Sequence, residues 1–168
     1  GIVSLVGVDG RLETVYLGRD DLKFQVLIDY AHTPDALENV LKTLREIAPD
    51  RQLICLFGCG GDRDKTKRPE MAAIAVKSAT TVVFTSDSPR TESPEPILDD
   101  MVAGVADATN YLRISDRREA IRTATMLAKA GDIIVIAGKG HEDYQIIGTE
   151  KHHFDDREEI RAAFATRK

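Results

Sequence analysis

Tryptophan is missing from this 168-residue sequence and aromatics make up only 5% of it, so a core must be built from Ile, Leu, Val and Ala. Cysteine occurs only twice, as Cys55 and Cys59. Their C-x3-C spacing is unusual for zinc, no second Cys or His pair completes a set of four ligands, and Cys55 lies in an apolar run. Two reduced thiols of a cytosolic protein are the reading that fits, and no metal site is expected. No apolar stretch approaches the roughly 20 residues of a membrane span and no signal peptide is visible, which excludes a membrane partner and points to the cytoplasm. An excess of basic residues is absent too. The net charge of -5 argues against a general nucleic-acid binder, though a few local groups could still hold a small anion. A Walker A loop, G-x-x-x-x-G-K-[ST], occurs nowhere, so the chain carries no phosphate cradle of that kind. The opening Gly1-Ile2-Val3 reads as the start of an excised piece.

What is present suits one folded domain. The length can bury a single core, and 42% hydrophobic with 30% charged residues is ordinary for a globular protein. From about residue 25 short apolar runs alternate with amphipathic helices. Gln25–Asp29 is apolar on both faces and reads as a buried strand. Thr33 and Pro34 supply an N-cap and a first-turn proline, Ala36, Leu37, Val40, Leu41, Leu44 and Ile47 recur at helical spacing, and Pro49 stops the helix. The unit repeats. Gln52–Phe57 is a strand, and Pro69 opens a helix with Ala72, Ala75, Val76 and Ala79 inward. Thr81–Thr85 is a strand, and Ser93-Pro94 opens a helix with Ile97, Met101 and Val105 inward. Tyr111–Ile114 is a weaker strand before a helix carrying Ala120, Ile121, Ala124, Leu127 and Ala128, which Gly131 caps. Asp132–Ala137 is the clearest buried strand, a segment around Gln145–Ile147 adds an edge strand, and Asp155 or Asp156 caps a last helix to about Ala165. The alternation predicts an α/β fold, a doubly wound, mostly parallel, Rossmann-like sheet with helices on both faces. Residues 1–22 fit it poorly, with a turn and a small strand at 8–15, and read as a linker from a preceding domain; 23–168 are the domain itself.

In an open parallel sheet, ligands bind beyond the carboxyl ends of the strands, and the informative residues follow the strands. Asp29 and His32 stand at the end of the first strand and the mouth of the next helix. A carboxylate there can accept a ribose hydroxyl and an imidazole can stack on a nucleotide, or both only stabilise the turn. The stretch GCGGDRDKTKRP at 58–69 combines glycines that admit close backbone approach with Arg63, Lys65, Lys67 and Arg68, which Asp62 and Asp64 can orient. A solvated charge run is the alternative. In SDSPRT at 86–91, Asp87, Ser88, Pro89 and Arg90 could hold a carboxylate and an ammonium at one ligand end, because guanidinium pairs bidentately with carboxylate; a plain proline turn would look similar. After the best strand, GKGHEDY at 138–144 offers close approach at Gly138 and an acceptor for an ammonium in Glu142. Four such loops on one sheet edge are jointly hard to explain as surface. His152 and His153 read as surface residues.

Together, DYAHTPDAL at 29–37, GCGGDRDKTKRP at 58–69, DSPRTESP at 87–94 and AGKGHEDYQIIG at 137–148 resemble, in order and separation, the carboxy-terminal domain of the Mur ligases. VDGRLETV at 8–15 is similar to that family's lead-in from the central domain. The resemblance implies an ATP-dependent, magnesium-assisted ligase of bacterial peptidoglycan synthesis, in the branch that joins meso-diaminopimelate or L-lysine to UDP-MurNAc-L-Ala-D-Glu. ATP phosphorylates the glutamate carboxylate, and the incoming amine attacks the acyl phosphate. Carried over by position, Arg63, Asp87, Ser88, Pro89, Arg90, Gly138 and Glu142 would hold the amino acid, while Asp29 and His32 would lie near the ribose and adenine of ATP. The diaminopimelate-adding members usually have Asn where this chain has Ser88, and a hydroxyl lacks the amide's fixed donor and acceptor pair. Arg90 would repel the terminal ammonium of lysine, which favours diaminopimelate. The N-terminal and central domains are the expected partners, no catalytic residue falls within this piece, and alone it is expected to be inactive. A folate-directed glutamate ligase and a stand-alone nucleotide- or amino-acid-binding module are the competing readings.

Overall fold

A computed structural model describes residues 12–17 and 25–167. Most of the expected linker, 1–11 and 18–22, therefore lies outside the described residues. A six-stranded sheet runs in the order β1-β2-β6-β3-β4-β5, with β1 at Glu13–Thr14, β2 at Gln25–Asp29, β3 at Leu53–Phe57, β4 at Thr81–Phe84, β5 at Tyr111–Arg113 and β6 at Ile133–Ala137. Strands β2 to β6 are mutually parallel and β1 alone is antiparallel, on β2. The expected doubly wound α/β sheet is thus observed. Strand β6, the most continuously apolar run, sits between β2 and β3, with Leu27 and Cys55 both opposite Val135. A strand covered on both faces needs apolar side chains at every position, which is why it shows no alternation.

The pleat sends alternate residues to two cores. Leu27, Cys55, Phe57, Val82, Phe84 and Val135 meet helices α1 (Pro34–Ile47), α2 (Lys67–Ser78) and α3 (Pro94–Val102). Val26, Ile28, Ile54, Leu56, Val83 and Ile136 meet α4 (Arg117–Leu127) and α5 (Asp156–Thr166). Thr33 caps α1 through Oγ1, which accepts from Ala36 N at 3.2 Å, with Pro34 in the first turn. Asp116 caps α4 and Asp155 caps α5 in the same way, each replacing a missing intrahelical acceptor.

Several sequence expectations need correction. Helix α2 starts at Lys67, two residues before Pro69, and buries Arg68. Leu127 is exposed at the end of α4 while Thr125 and Ala128 are buried, so the inner stripe runs through Thr125 rather than Leu127. Gly131, with φ +94, lies beyond the helix cap at Ala128 and serves the turn in which Asp132 N donates to Lys129 O. The segment around Gln145–Ile147 is not an edge of the main sheet. It is β7 (Tyr144–Ile147), paired antiparallel with β8 (Glu150–His153) as a separate hairpin.

Candidate functional site

The carboxyl ends of β2, β3, β4 and β6 open on one side of the sheet, and the hairpin closes the far wall of a cavity of about 490 Å³. Tyr30 and His32 come from the β2–α1 loop, with their rings edge to face at 4.8 Å. Gly58, Cys59, Gly60 and Arg63 come from the β3–α2 loop, Lys67 and Met71 from α2, and Asp87 and Arg90 from the β4–α3 loop. Gly138 and Glu142 follow β6, and Tyr144, Ile146 and Lys151 are the hairpin's contribution. The volume matches that of pockets that enclose a small ligand.

Glycine is required where the loops meet. A Cβ on Gly58 would collide with Thr85 O and Asp87 N, so this residue lets the β3 and β4 loops touch. Gly138 adopts φ +113, which L side chains rarely take, with Asp87 Oδ2 3.2 Å from where its Cβ would stand. The Asp87–Arg90 loop is held by the hairpin. Gln145 Nε2 donates to Asp87 O at 2.6 Å, and Ile146 N donates to Ser88 Oγ at 3.0 Å. Arg90 N donates to Ile146 O at 2.9 Å, and Arg90 O accepts from Gly148 N at 2.7 Å. These bonds hold Arg90 at φ +55, a left-handed conformation that costs a non-glycine residue on the order of 1 kcal/mol or more.

The electrostatics of the cavity are divided. Arg90 Nη1 donates to Gly61 O at 3.0 Å and Arg63 Nη1 to Asp62 O at 3.1 Å, so main-chain carbonyls orient both guanidinium groups. Among the described residues neither is salt-bridged to a carboxylate. Facing them, burial pushes the Asp87 carboxyl above the usual carboxylate range, although Arg117 and Lys139 pull against it. Burial, and then the charge of Asp87, raises Glu142 as well. Two guanidinium groups that are not salt-bridged and two carboxyls that accept no charged hydrogen bond among the described residues, in one cavity, suit a ligand carrying both a carboxylate and an ammonium. Burial lifts the Cys59 thiol to about 12, so it lines the wall as a neutral group.

Not every expected residue faces the cavity. Ser88 is buried with its hydroxyl occupied by Ile146 N, and Pro89 lines a second cavity on the far side of the loop. Asp29 is buried at the end of β2, where its carboxylate accepts from Leu12 N and Ala31 N at 3.0 Å each. The Asp62 carboxylate accepts from Thr91, and that of Asp64 from Thr66, so neither carboxylate is paired with a cation of its loop. Arg68 does not face ligand space; it is buried, donating to Glu92, Asp100 and Gly60 O. His152 and His153 are exposed on β8, and among the described residues no group of three His, Cys, Asp or Glu could hold a metal.

Sequence reasoning missed the layer beneath the cavity. Arg117 and Asp156 form a bidentate ion pair, with side chains 0% and 1% exposed, and Arg117 Nη1 donates to Ser86 O at 2.9 Å. Lys139, wholly buried, sits close by. A signal for the arginines was available: Arg117 precedes Ala120 and Ile121, and Arg68 precedes Met71 and Ala72, by the three and four residues that place them on the inner helix face.

A Rossmann-like α/β sheet that gathers cations and half-buried carboxyls in one cavity beyond its strand ends defines the class of domain. Residues 10–140 match the model of the Mur ligase, glutamate ligase domain, and the chain belongs to the Mur ligase family as a carboxy-terminal domain. It is 57% identical over 166 residues to the UDP-N-acetylmuramoyl-L-alanyl-D-glutamate--2,6-diaminopimelate ligase of Trichormus variabilis, covering 99% of this chain and 33% of that protein. The enzyme of the same name from Bacillus cereus is also 57% identical over 166 residues, with the same coverage. A solved structure of a UDP-N-acetylmuramoyl-L-alanyl-D-glutamate--2,6-diaminopimelate ligase superposes with a TM-score of 0.85 at 50% identity, covering 96% of this chain and 32% of that one. The chain spans about a third of the length of the relatives it matches. No helix among the described residues is long and apolar enough to cross a membrane.

Proposed function

We propose that this chain is the amino-acid-presenting domain of an ATP-dependent ligase of the bacterial cytoplasm. The complete enzyme would join meso-diaminopimelate to UDP-MurNAc-L-Ala-D-Glu in peptidoglycan synthesis. The observation that carries this reading is the opposition, in one cavity, of Arg63 and Arg90 to Asp87 and Glu142. Relatives bearing that enzyme's name, at 57% identity, support it.

In this reading Arg90, with Arg63, grips a carboxylate of the diamino acid, and Asp87 and Glu142 accept from the ammonium beside it. Gly138 leaves room for the backbone of that end to approach, and Ser88 and Pro89 shape the loop that aims Arg90. The other amine is left free to lose a proton and attack the activated glutamate carbonyl. L-lysine lacks the second carboxylate, so the half-buried Arg90 would face an ammonium instead, and a like charge in place of its partner is a ground for rejection. His32, exposed at the cavity mouth, lies toward the adenine of ATP, and Asp29 fixes the turn beneath the ribose. ATP with magnesium supplies the phosphoryl group that activates the glutamate carboxylate, and the residues that cradle it belong to the preceding domains. Residues 1–22 lead in from the central domain and 23–168 form the presenting domain, which contributes no catalytic residue and is inactive alone.

Assaying the complete enzyme with meso-diaminopimelate, L-lysine and L-glutamate tests this. ADP release coupled to a new amide is expected with diaminopimelate. A preference for lysine or glutamate, or binding without ADP release, would overturn it in favour of another ligase branch or of a binding module.

A further inference from the structure

Lys139 follows β6 by two residues and is completely buried, a state lysine takes only when its charge is met. Its ammonium does not point at the ligand space. It donates to Glu142 O at 3.0 Å and to Tyr144 O, and it lies 5.7 Å from the Tyr144 ring centroid and 6.0 Å from that of Phe154. The two carbonyls flank Asp143, so a single cation clamps the loop that leaves β6 to the start of the hairpin. Both clamped residues line the cavity, and Tyr144 Oη is 3.4 Å from Glu142 Oε2. A course of this loop that moved the two carbonyls away would cost the buried ammonium both of these acceptors, which favours the seated course.

We infer that Lys139 is a positioning residue of the amino-acid site: by holding the carbonyls of Glu142 and Tyr144, it sets the point from which the Glu142 carboxylate meets the ammonium of the substrate. The inference rests on the reading of the cavity given above. It has an electrostatic side. The charged groups around Lys139 and Glu142 are Asp87 and Arg90 on the β4–α3 loop, Arg117 on α4, Asp156 on α5 and the Tyr144 hydroxyl on β7. Within that set Lys139 favours the ionised forms of both Asp87 and Glu142.

Lys139→Met keeps the apolar stem and removes the charge with its donors. In the complete enzyme the KM for diaminopimelate is expected to rise about tenfold or more, the equivalent of one lost charge-assisted contact. The kcat should stay within about threefold, and the KM values for ATP and the UDP-linked dipeptide should not change. The acid limb of the kcat/KM profile for diaminopimelate should move to higher pH, because the cation that favours the ionised forms of Asp87 and Glu142 is gone. An unchanged KM overturns the inference. So does a raised KM with an unmoved acid limb, which would reduce Lys139 to packing. If Lys139→Met does not fold, Lys139→Gln, which keeps the two N–H donors of an amide and no charge, is read by the shift of the acid limb. The unaltered enzyme separates the failures: if it does not use diaminopimelate, the reading of the site falls, whereas normal use with an indifferent variant removes only the role of Lys139.

Discussion

Replacing Arg117 with methionine removes both bonds to Asp156 and the donor to Ser86 O, while leaving the Asp156 carboxylate 1% exposed and without its bidentate partner. Removing one partner of a buried pair costs roughly 3–5 kcal/mol, because the surviving charge stays desolvated. With a urea slope of about 2 kcal/mol per M, the unfolding midpoint should fall by roughly 1.5–2.5 M. That is a large part of the roughly 5–15 kcal/mol of a typical domain, so the variant should fold but with a visibly earlier transition. Urea unfolding of the 168-residue chain, followed by circular dichroism, reads it directly. The double variant Arg117→Met/Asp156→Leu removes the stranded charge and should recover most of the loss, since buried pairs are often replaceable by apolar residues of similar volume. A midpoint shift below about 0.5 M for the single variant would refute the reasoning, as would a double variant no more stable than the single.

Other consequences follow from the same geometry. Arg68 and the Asp62 backbone N–H hold Glu92 at about 2, down from its ordinary 4.5. Its contribution to stability is therefore complete above pH 4.5 and is lost as the pH falls from there toward 2, so the urea midpoint should drop across that window, and less steeply in Glu92→Gln. Ser88→Ala removes the acceptor for Ile146 N. It should raise the KM for diaminopimelate in the complete enzyme by about 3–10-fold with kcat nearly unchanged, the size of one net hydrogen bond; an unaffected KM would show that the Ser88–Ile146 bond does not set the position of Arg90.

Legibility differed between parts of this molecule for physical reasons. Strands such as Ile133–Ala137 announce themselves because a strand buried on both faces must be apolar throughout. The position of β6 between β2 and β3 could not be read, since pairing between distant strands leaves no local trace. The hairpin was legible only in part, because Glu150–His153 is exposed and has no apolar stripe. Arg63, Arg90, Asp87 and Glu142 stood out as charges after strands, and the structure gathers them in one cavity. Arg68, Arg117 and Lys139 were harder, because a charge in a sequence defaults to solvent. For the arginines helical spacing held the correction. For Lys139, in a loop, nothing local did.

The proposed role of Arg90 is to recognise the carboxylate at the far end of a diamino acid. The most direct measurement is kcat/KM for meso-diaminopimelate and for L-lysine in the complete enzyme, with and without Arg90→Ala. A fall of about 10–150-fold is expected for diaminopimelate, the value of a charge-assisted hydrogen bond of roughly 1.5–3 kcal/mol, and no fall for lysine. An unchanged kcat/KM for diaminopimelate, or an equal loss for both amino acids, would contradict it.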